Sequence, residues 1–239
     1  MNICLISQFK NETLNLSIFI KHYLWQGVNK FYLIDNNSND NPLFILQEYI
    51  DKGIVEYIFN PEKYKQVEIF RNTMNHYNIK NFYDWVIYCD LDEFYYGYPN
   101  ILKTQLIDFN CHAIYTNWRL FGSDGVIEHP EDIRISITHR AKELSKSQKY
   151  IFNPKNIDTN NLHIHYITNN SNNFIVENNK IRLNHYAIQS LTYFKTVKMV
   201  RGDVNKEEYE NIRDMNYFNA YDFNDYEDND LKILITNMN

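Results

Sequence analysis

The fold of the chain is decided by the stretch Trp85-Val86-Ile87-Tyr88-Cys89-Asp90-Leu91-Asp92-Glu93-Phe94. Its first five residues form an unbroken apolar run, which is typical of a strand buried on both faces of a parallel sheet. Acidic residues follow at once, at positions 90, 92 and 93. This order predicts a buried strand that ends directly in a group of carboxylates.

Upstream of this stretch, strands and helices are expected to alternate. Apolar runs predict strands over residues 2–7, 30–34 and 54–59, and helical spacing predicts helices over residues 11–26, 43–52 and 64–77. Such alternation predicts a parallel sheet with right-handed crossovers. From residue 113 onward the expected strands are short and separated by loops. We therefore predict an α/β protein with a mostly parallel central sheet, flanking helices and a smaller mixed sheet.

Asp90 and Asp92 are spaced to act together. Residues two apart on an extended segment point to the same side, and ligands of parallel sheets bind at the carboxyl ends of the strands. Mg²⁺ and Mn²⁺ are held by one or two carboxylates and by substrate phosphates. The pair predicts a cation that bridges the protein and a diphosphate. The alternative is an ordinary acidic loop with no ligand.

A second polar cluster, Asp35-Asn36-Asn37-Ser38-Asn39-Asp40, follows the strand expected at residues 30–34. It begins like a calcium-binding EF-hand loop, but Asp40 replaces the glycine needed at the sixth position and Leu46 the glutamate at the twelfth. We therefore reject calcium. The position at the sheet edge favours contact of Asp35 or Asp40 with a base or ribose, although a polar turn that caps the next helix explains the composition equally well.

The composition limits the class of protein and of partner. The 239 residues suffice for one domain with a substantial core, and a net charge of −6 disfavours nucleic acid as a partner. The three cysteines are odd in number and lack metal-ligand spacing, which favours free thiols and a reducing compartment. The start of the chain lacks the features of a signal peptide, and no apolar run reaches the roughly 18 residues of a membrane span. We expect a soluble, cytoplasmic protein.

The order of motifs resembles glycosyltransferases of families 2 and 92, which share the GT-A fold. The stretch from Trp85 to Phe94 is similar to the metal-binding (D-x-D) motif of those families. The other matching segments are Lys10-Asn11-Glu12, His22-Tyr23-Leu24-Trp25-Gln26-Gly27-Val28, Tyr32-Leu33-Ile34-Asp35-Asn36-Asn37-Ser38-Asn39-Asp40, Asn117-Trp118-Arg119-Leu120-Phe121-Gly122-Ser123-Asp124-Gly125, Lys149-Tyr150-Ile151-Phe152-Asn153-Pro154, His163-Ile164-His165 and Asn184-His185-Tyr186-Ala187-Ile188-Gln189-Ser190 with Phe194, Lys195, Lys198, Arg201 and Gly202. The resemblance covers residues 1–205. We predict a single GT-A domain over these residues and an acidic, partly ordered extension over residues 206–239.

The resemblance implies a metal-dependent transferase that takes a sugar from a nucleotide-diphosphate donor, with UDP as the nucleotide and Mn²⁺ or Mg²⁺ as the cation. The acceptor would be a hydroxyl of a glycan, protein or lipid. Asp90 would face the ribose and the metal, Asp92 would ligate the metal directly, and His185 would bind the metal or the diphosphate. The other residues that the resemblance places near the donor are Asp35 and Asp40 at the base and ribose, Gln66 and Arg71 at the nucleotide, and Lys195, Lys198 and Arg201 at the phosphates.

The histidines and basic residues also have plain structural explanations. A single histidine is more often a satisfied core or surface residue than a ligand, and His163 and His165 are explained by alternation on a strand. Lys195, Lys198 and Arg201 are spaced three apart, which predicts one helical face. Solvation of that face would account for them without any phosphate.

The transferases resembled here generally invert the anomeric centre, so a carboxylate must remove the proton of the acceptor hydroxyl from within about 3 Å. Asp124 is the first candidate, because GT-A enzymes place this group in the loop after the strand that follows the metal motif. Glu128 and Glu131 are rivals, and Glu93 is a further candidate.

Two functions of other classes remain open at the level of sequence. One is a GT-A module that binds glycans or nucleotides without turnover. The other is a metal-dependent nuclease or nucleotidyltransferase that uses Asp90 and Asp92. The acidic charge and the lack of a basic groove interleaved with aromatic residues disfavour nucleic acid as its substrate.

Overall fold

The computed structural model describes residues 1–168, 173–201 and 213–237. Four parallel strands form one half of the central sheet, in the order β3-β2-β1-β4. Every residue of β1 is buried, the polar Ser7 and Gln8 included, as is typical of a strand inside a parallel sheet. The four strands are β1 (Ile3–Phe9), β2 (Lys30–Asp35), β3 (Val55–Phe59) and β4 (Trp85–Tyr88).

Helices connect these strands at the predicted places. Their bounds lie within two residues of those expected from helical spacing: α1 (Thr13–Trp25), α2 (Leu43–Asp51) and α3 (Gln66–His76), with the short α4 (Ile79–Phe82) before β4. Gly27 follows α1 with a φ of +94°, and a Cβ there would lie 2.5 Å from the Cβ of Lys103. Only glycine fits this chain reversal without strain.

The other half of the sheet is mixed, and its strands continue the parallel half. The sequence predicted a smaller mixed sheet, whereas β8 hydrogen bonds to β4 on one side and to β6 on the other, antiparallel to both. The described residues thus form one sheet of nine strands, in the order β3-β2-β1-β4-β8-β6-β10-β5 with β9 on β6. Its remaining strands and the helices between them are β5 (Glu93–Gly97), α5 (Leu102–Leu106), β6 (Ala113–Leu120), α6 (Ile133–Ser136), β8 (Gln148–Phe152), β9 (Phe174–Val176) and β10 (Ile181–His185).

The register between β10 and β5 brings the end of β10 to the acidic motif. The two strands are antiparallel and His185 pairs with Glu93. The backbone N–H of Tyr186 donates to the Asp92 carbonyl over 2.9 Å. His185 therefore lies beside Asp92, although the two residues are 93 positions apart in sequence (185 − 92).

The last described segment packs back onto the domain. The boundary predicted between residues 205 and 206 lies in the segment 202–212, outside the described residues. Beyond it, Asp228 accepts hydrogen bonds from Arg119 at 3.0 Å and from Arg140 at 2.6 Å. The elements that follow β10 are α7 (Leu191–Tyr193), a π-helical turn (Phe194–Lys198), α8 (Met199–Arg201), α9 (Met215–Tyr221), β11 (Tyr226–Glu227) and α10 (Asp230–Thr236). The strand β11 pairs with β7 (His139–Arg140). No helix in the described ranges is long and apolar enough to cross a bilayer.

One histidine of the matching segments has a structural role in the core. His22 on α1 is fully buried; its Nε2 lies 2.7 Å from the Tyr95 carbonyl and its Nδ1 lies 3.2 Å from Arg134 Nη1. The carbonyl requires a proton on Nε2 and the guanidinium donates to Nδ1, so the neutral ring fits this position. Burial and the Arg134 charge hold the pKa of His22 well below its usual range.

His22 should make the stability of the protein fall with falling pH. The unfolded chain takes up a proton at His22 near pH 6.5 and the folded chain does not, so stability present above that pH is lost as the pH drops. We expect His22→Gln to reduce this slope by up to about 1.4 kcal/mol per pH unit. The measurement is urea unfolding at pH 7.5 and 5.5, with His76→Gln at an exposed position as the control. Equal slopes in the parent and His22→Gln would contradict this role.

Candidate active site

A cavity opens where β1 and β4 end, and β10 reaches the same place from the other half of the sheet. Its walls include the carboxylates of Glu12, Asp90 and Asp92. Cations and rings come from distant parts of the chain: Lys10, Trp118, His165, His185, Arg201, Arg213, Tyr217 and Tyr221. The carboxyl edge of the sheet is therefore the location of the cavity, as parallel-sheet topology predicts.

Asp92 lies between a lysine and a histidine. One carboxylate oxygen, Oδ2, accepts a hydrogen bond from the buried Lys198 ammonium. The other, Oδ1, is buried without a hydrogen-bond partner among the described residues and lies 3.6 Å from His185 Nε2. Burial alone would raise the pKa of Asp92, but Lys198 and His185 outweigh it and hold that pKa well below its usual range. Asp92 is therefore an anion with one oxygen turned to an imidazole nitrogen.

Asp90 is held by a second lysine. Lys149 on β8 is fully buried, and its Nζ lies 3.1 Å from Asp90 Oδ2 and 3.5 Å from Glu93 Oε2. The Asp90 side chain is 37% exposed, whereas that of Glu93 is fully buried and accepts the backbone N–H of Asp90 over 2.9 Å. Burial raises the pKa of Glu93 to about 7, against the lowering by Lys149. Glu93 thus holds the backbone of the acidic turn in place, whereas the Asp90 side chain is open to the cavity.

Asp35 and Asp40, which were predicted to contact the base or ribose of the sugar donor, accept hydrogen bonds from neighbouring parts of the chain. Asp35 accepts the N–H of Ser38 at 2.8 Å and the hydroxyl of Tyr57 at 2.6 Å. Asp40 accepts the N–H of Thr13 at 2.9 Å. Neither residue belongs to the wall of the cavity, and their contact with a base or ribose stays a prediction.

Gln66 and Arg71 lie on α3, beside the cavity. Gln66 belongs to its wall and also to a neighbouring groove, which Arg71 and His163 line. Arg71 donates to the Leu162 carbonyl over 2.8 Å. His163 and His165, which alternation on a strand was expected to explain, lie in the segment 162–168 outside the named strands instead, and His165 reaches the cavity wall.

The three basic residues near the end of the matching region do not share one face. Lys195 is exposed, whereas Lys198 is fully buried on Asp92 and Arg201 contacts Glu12 at the cavity. The segment Phe194–Lys198 is a π-helical turn, in which the wider winding removes the three-residue periodicity of a helix face. The prediction of a common face was wrong for this reason.

Asp124, the first candidate for the base, is held away from the cavity wall. Its Oδ2 accepts the N–H of Thr138 at 2.7 Å, and its Oδ1 lies 2.6 Å from His139 Nδ1. It adopts a left-handed conformation with a φ of +57°. Neither Asp124 nor the rivals Glu93, Glu128 and Glu131 belongs to the cavity wall. The identity of the base stays a prediction.

The pair Asp92 Oδ1 and His185 Nε2 suits a divalent cation. Ligand atoms about 2.1 Å from an ion lie roughly 3–3.5 Å from each other, and these two are 3.6 Å apart with Oδ1 unpaired among the described residues. No three His, Cys, Asp or Glu side chains in that part of the chain are grouped to hold an ion by themselves. Among the described residues this pair supplies two ligands, so a diphosphate and water would have to complete the coordination.

Comparison with known proteins identifies the family. The model of glycosyltransferase family 92 matches residues 1–234. The chain belongs to glycosyltransferase family 92. The resemblance to family 92 that the sequence motifs indicated is thereby confirmed, and the mixed sheet with its helices confirms the predicted α/β fold class. The family 92 match also extends past residue 205 into the acidic segment.

Relatives of this family 92 chain are distant. A family 92 glycosyltransferase from Ricinus communis is 23% identical over 213 residues, which are 81% of this chain and 36% of that protein. The chain thus spans about a third of the length of the curated relative that it matches. Among solved structures, residues 1–349 of S. aureus TarS give a TM-score of 0.48 with 13% identity, covering 78% of this chain and 60% of that one. HddC from Yersinia pseudotuberculosis gives 0.44 with 11% identity, covering 77% and 92%.

Sequence reasoning assigned no role to several residues of the candidate site. Lys149 could have been found, because a lysine at the start of the apolar run Lys149-Tyr150-Ile151-Phe152 is rarely buried without an anion. Glu12 lies in a matching segment but gave no chemical signal of its own. Tyr217 and Tyr221 lie beyond residue 205, where the resemblance had ended.

Proposed function

We propose that the chain transfers a sugar from a nucleoside-diphosphate sugar to an acceptor hydroxyl, with Mn²⁺ or Mg²⁺ bound by Asp92 and His185. The observation that carries this proposal is the unpaired Asp92 Oδ1 facing His185 Nε2 in a cavity that basic residues also line. UDP as the nucleotide and inversion of the anomeric centre are proposed from the resemblance to families 2 and 92. The acceptor is a hydroxyl of a glycan, protein or lipid.

Some residues of the site would hold the donor, and others would stabilise the leaving group. Lys198 keeps Asp92 ionised and fixes one of its oxygens, which leaves the other for a cation. A bound cation would stabilise the charge that develops on the leaving diphosphate. Lys10, Arg201 and Arg213 in the cavity wall add positive charge for the phosphates. Asp90, whose side chain is open to the cavity, would accept hydrogen bonds from the ribose hydroxyls.

Thermal-shift measurements with UDP, GDP and CMP, each with and without Mn²⁺, test the donor and the metal together. We expect a nucleoside diphosphate to raise the Tm only when Mn²⁺ is present, because phosphates complete the coordination. His185→Gln should lose most of this metal-dependent rise, and the exposed His76→Gln should keep it.

A screen for hydrolysis of nucleotide sugars with Mn²⁺ then separates an enzyme from a binding module. Slow release of free sugar from one donor supports the transferase. Stabilisation by a nucleoside diphosphate without any hydrolysis or transfer would identify a module that only binds. No stabilisation by any of the nucleotides would contradict the proposed donor class.

A further inference from the structure

Glu12 is a buried carboxylate of the cavity for which the proposed chemistry provides no task. It lies at the end of Lys10-Asn11-Glu12, directly before α1, and is only 2% exposed. An acidic residue at this place often caps the helix, but the Glu12 side chain makes no capping hydrogen bond. Its carboxylate points instead toward the C-terminal part of the chain.

Both oxygens of Glu12 are engaged there. Oε2 accepts the Tyr193 hydroxyl and the Asn15 amide, the latter at 2.9 Å. Oε1 accepts Arg201 Nη1 and lies 3.6 Å from Lys198 Nζ. Asn15 also lies within hydrogen-bond distance of Gln189, at 3.2 Å, so that the carboxylate is fixed from two sides. Glu12 therefore has little freedom to move.

The charges of this cluster depend on Glu12. Lys198 is fully buried, and its side-chain ammonium has only Asp92 and Glu12 as ion-pair partners in the described part of the chain. Arg201 is 14% exposed; its guanidinium pairs with Glu12, and it donates to the Lys10 carbonyl over 3.0 Å. Two cations held close together in a buried site repel each other unless an anion lies between them. Glu12 is that anion.

We infer that Glu12 is a positioning residue that holds Arg201 at the cavity wall, where the diphosphate of the donor binds, and that holds Lys198 against Asp92. The inference rests on the proposed function and extends that function by stating how the site recognises a diphosphate. A nucleoside monophosphate carries the same base and ribose but lacks the second phosphate. Loss of Glu12 should therefore weaken binding of UDP much more than binding of UMP.

The test compares the affinities of UDP and UMP, measured by calorimetry with Mn²⁺, for the full chain and for Glu12→Gln. Charge-assisted hydrogen bonds of this kind lead us to expect a fall of about tenfold in the ratio of UDP to UMP affinity. Arg201→Gln should lower the same ratio. If Glu12 acts through Arg201, the double variant Glu12→Gln with Arg201→Gln should lose little more than either single variant.

Each outcome decides the matter. An unchanged ratio in Glu12→Gln, or equal weakening of UDP and UMP, gives Glu12 a general structural role and overturns the inference alone. If Glu12→Gln does not fold, Glu12→Asp keeps the charge but withdraws it from the cations; an unchanged ratio in that variant also overturns the inference. If the parent chain binds no nucleoside diphosphate, the proposed function fails and this inference fails with it.

Discussion

Asp92→Asn is expected to lower kcat for sugar transfer by about a hundred- to a thousandfold, the range seen when one stabilising group of a transition state is removed. An amide has no negative charge to offer a cation beside His185, and it leaves the buried Lys198 without its nearest anion. The measurement is steady-state transfer or donor hydrolysis with Mn²⁺. We expect the affinity for Mn²⁺ in the presence of UDP to fall in the same variant.

The matched control for this prediction is Asp108→Asn. Asp108 forms an exposed ion pair with Lys180, with 62% of its own side chain accessible, so the same chemical change there should leave kcat unaltered. Retention of most of the activity in Asp92→Asn would contradict the role of Asp92 as the ligand of the cation.

Lys149→Met is expected to give the largest loss of stability, about 3 kcal/mol in the free energy of unfolding. The substitution keeps the apolar stem of the side chain but leaves Glu93 buried without a cation and removes one of the partners of Asp90. Urea unfolding followed by circular dichroism measures the change. Adding Glu93→Gln to Lys149→Met should recover part of the loss, because the amide carries no charge and can still accept the Asp90 N–H.

Lys180→Met is the matched control, since Lys180 is 52% exposed and pairs only at the surface with Asp108. Its stability should stay close to that of the parent. If Lys149→Met were as stable as Lys180→Met, the buried ion pairs of Lys149 would not stabilise the acidic turn, and the account of Asp90 as a positioned group would fail.

The parallel half of the fold could be predicted because its signals are local. An apolar run such as residues 85–89 identifies a buried strand, and the spacing of apolar residues identifies the helices between strands. The position of Asp90 and Asp92 at the carboxyl edge then follows from topology. The mixed half has no comparable local signal, since the register that places His185 beside Glu93 depends on pairing between strands far apart in sequence.

Side-chain partners were the hardest part of the site to predict. Lys195, Lys198 and Arg201 were expected along one helical face. The segment Phe194–Lys198 is a π-helical turn instead, which residue spacing alone cannot reveal, and Lys195 therefore lies on a different face from the other two. Asp124 has the right position in the order of motifs, but its carboxylate is engaged by Thr138 and lies near His139. Residue type and spacing therefore located the edge of the site better than they located the individual contacts within it.

The strand β8 has a mechanical consequence for substrate capture. Because it hydrogen bonds to β4 on one side and β6 on the other, the half that carries the acidic motif and the half that carries His185 share one backbone hydrogen-bond network. Enzymes that close over a ligand by hinge bending need two bodies joined by a few flexible residues. The continuous sheet provides no such hinge among the described strands, so the floor of the cavity is expected to stay rigid. Under the proposed function, a donor would then be enclosed by parts of the cavity wall outside the sheet, such as the helix that bears Tyr217 and Tyr221.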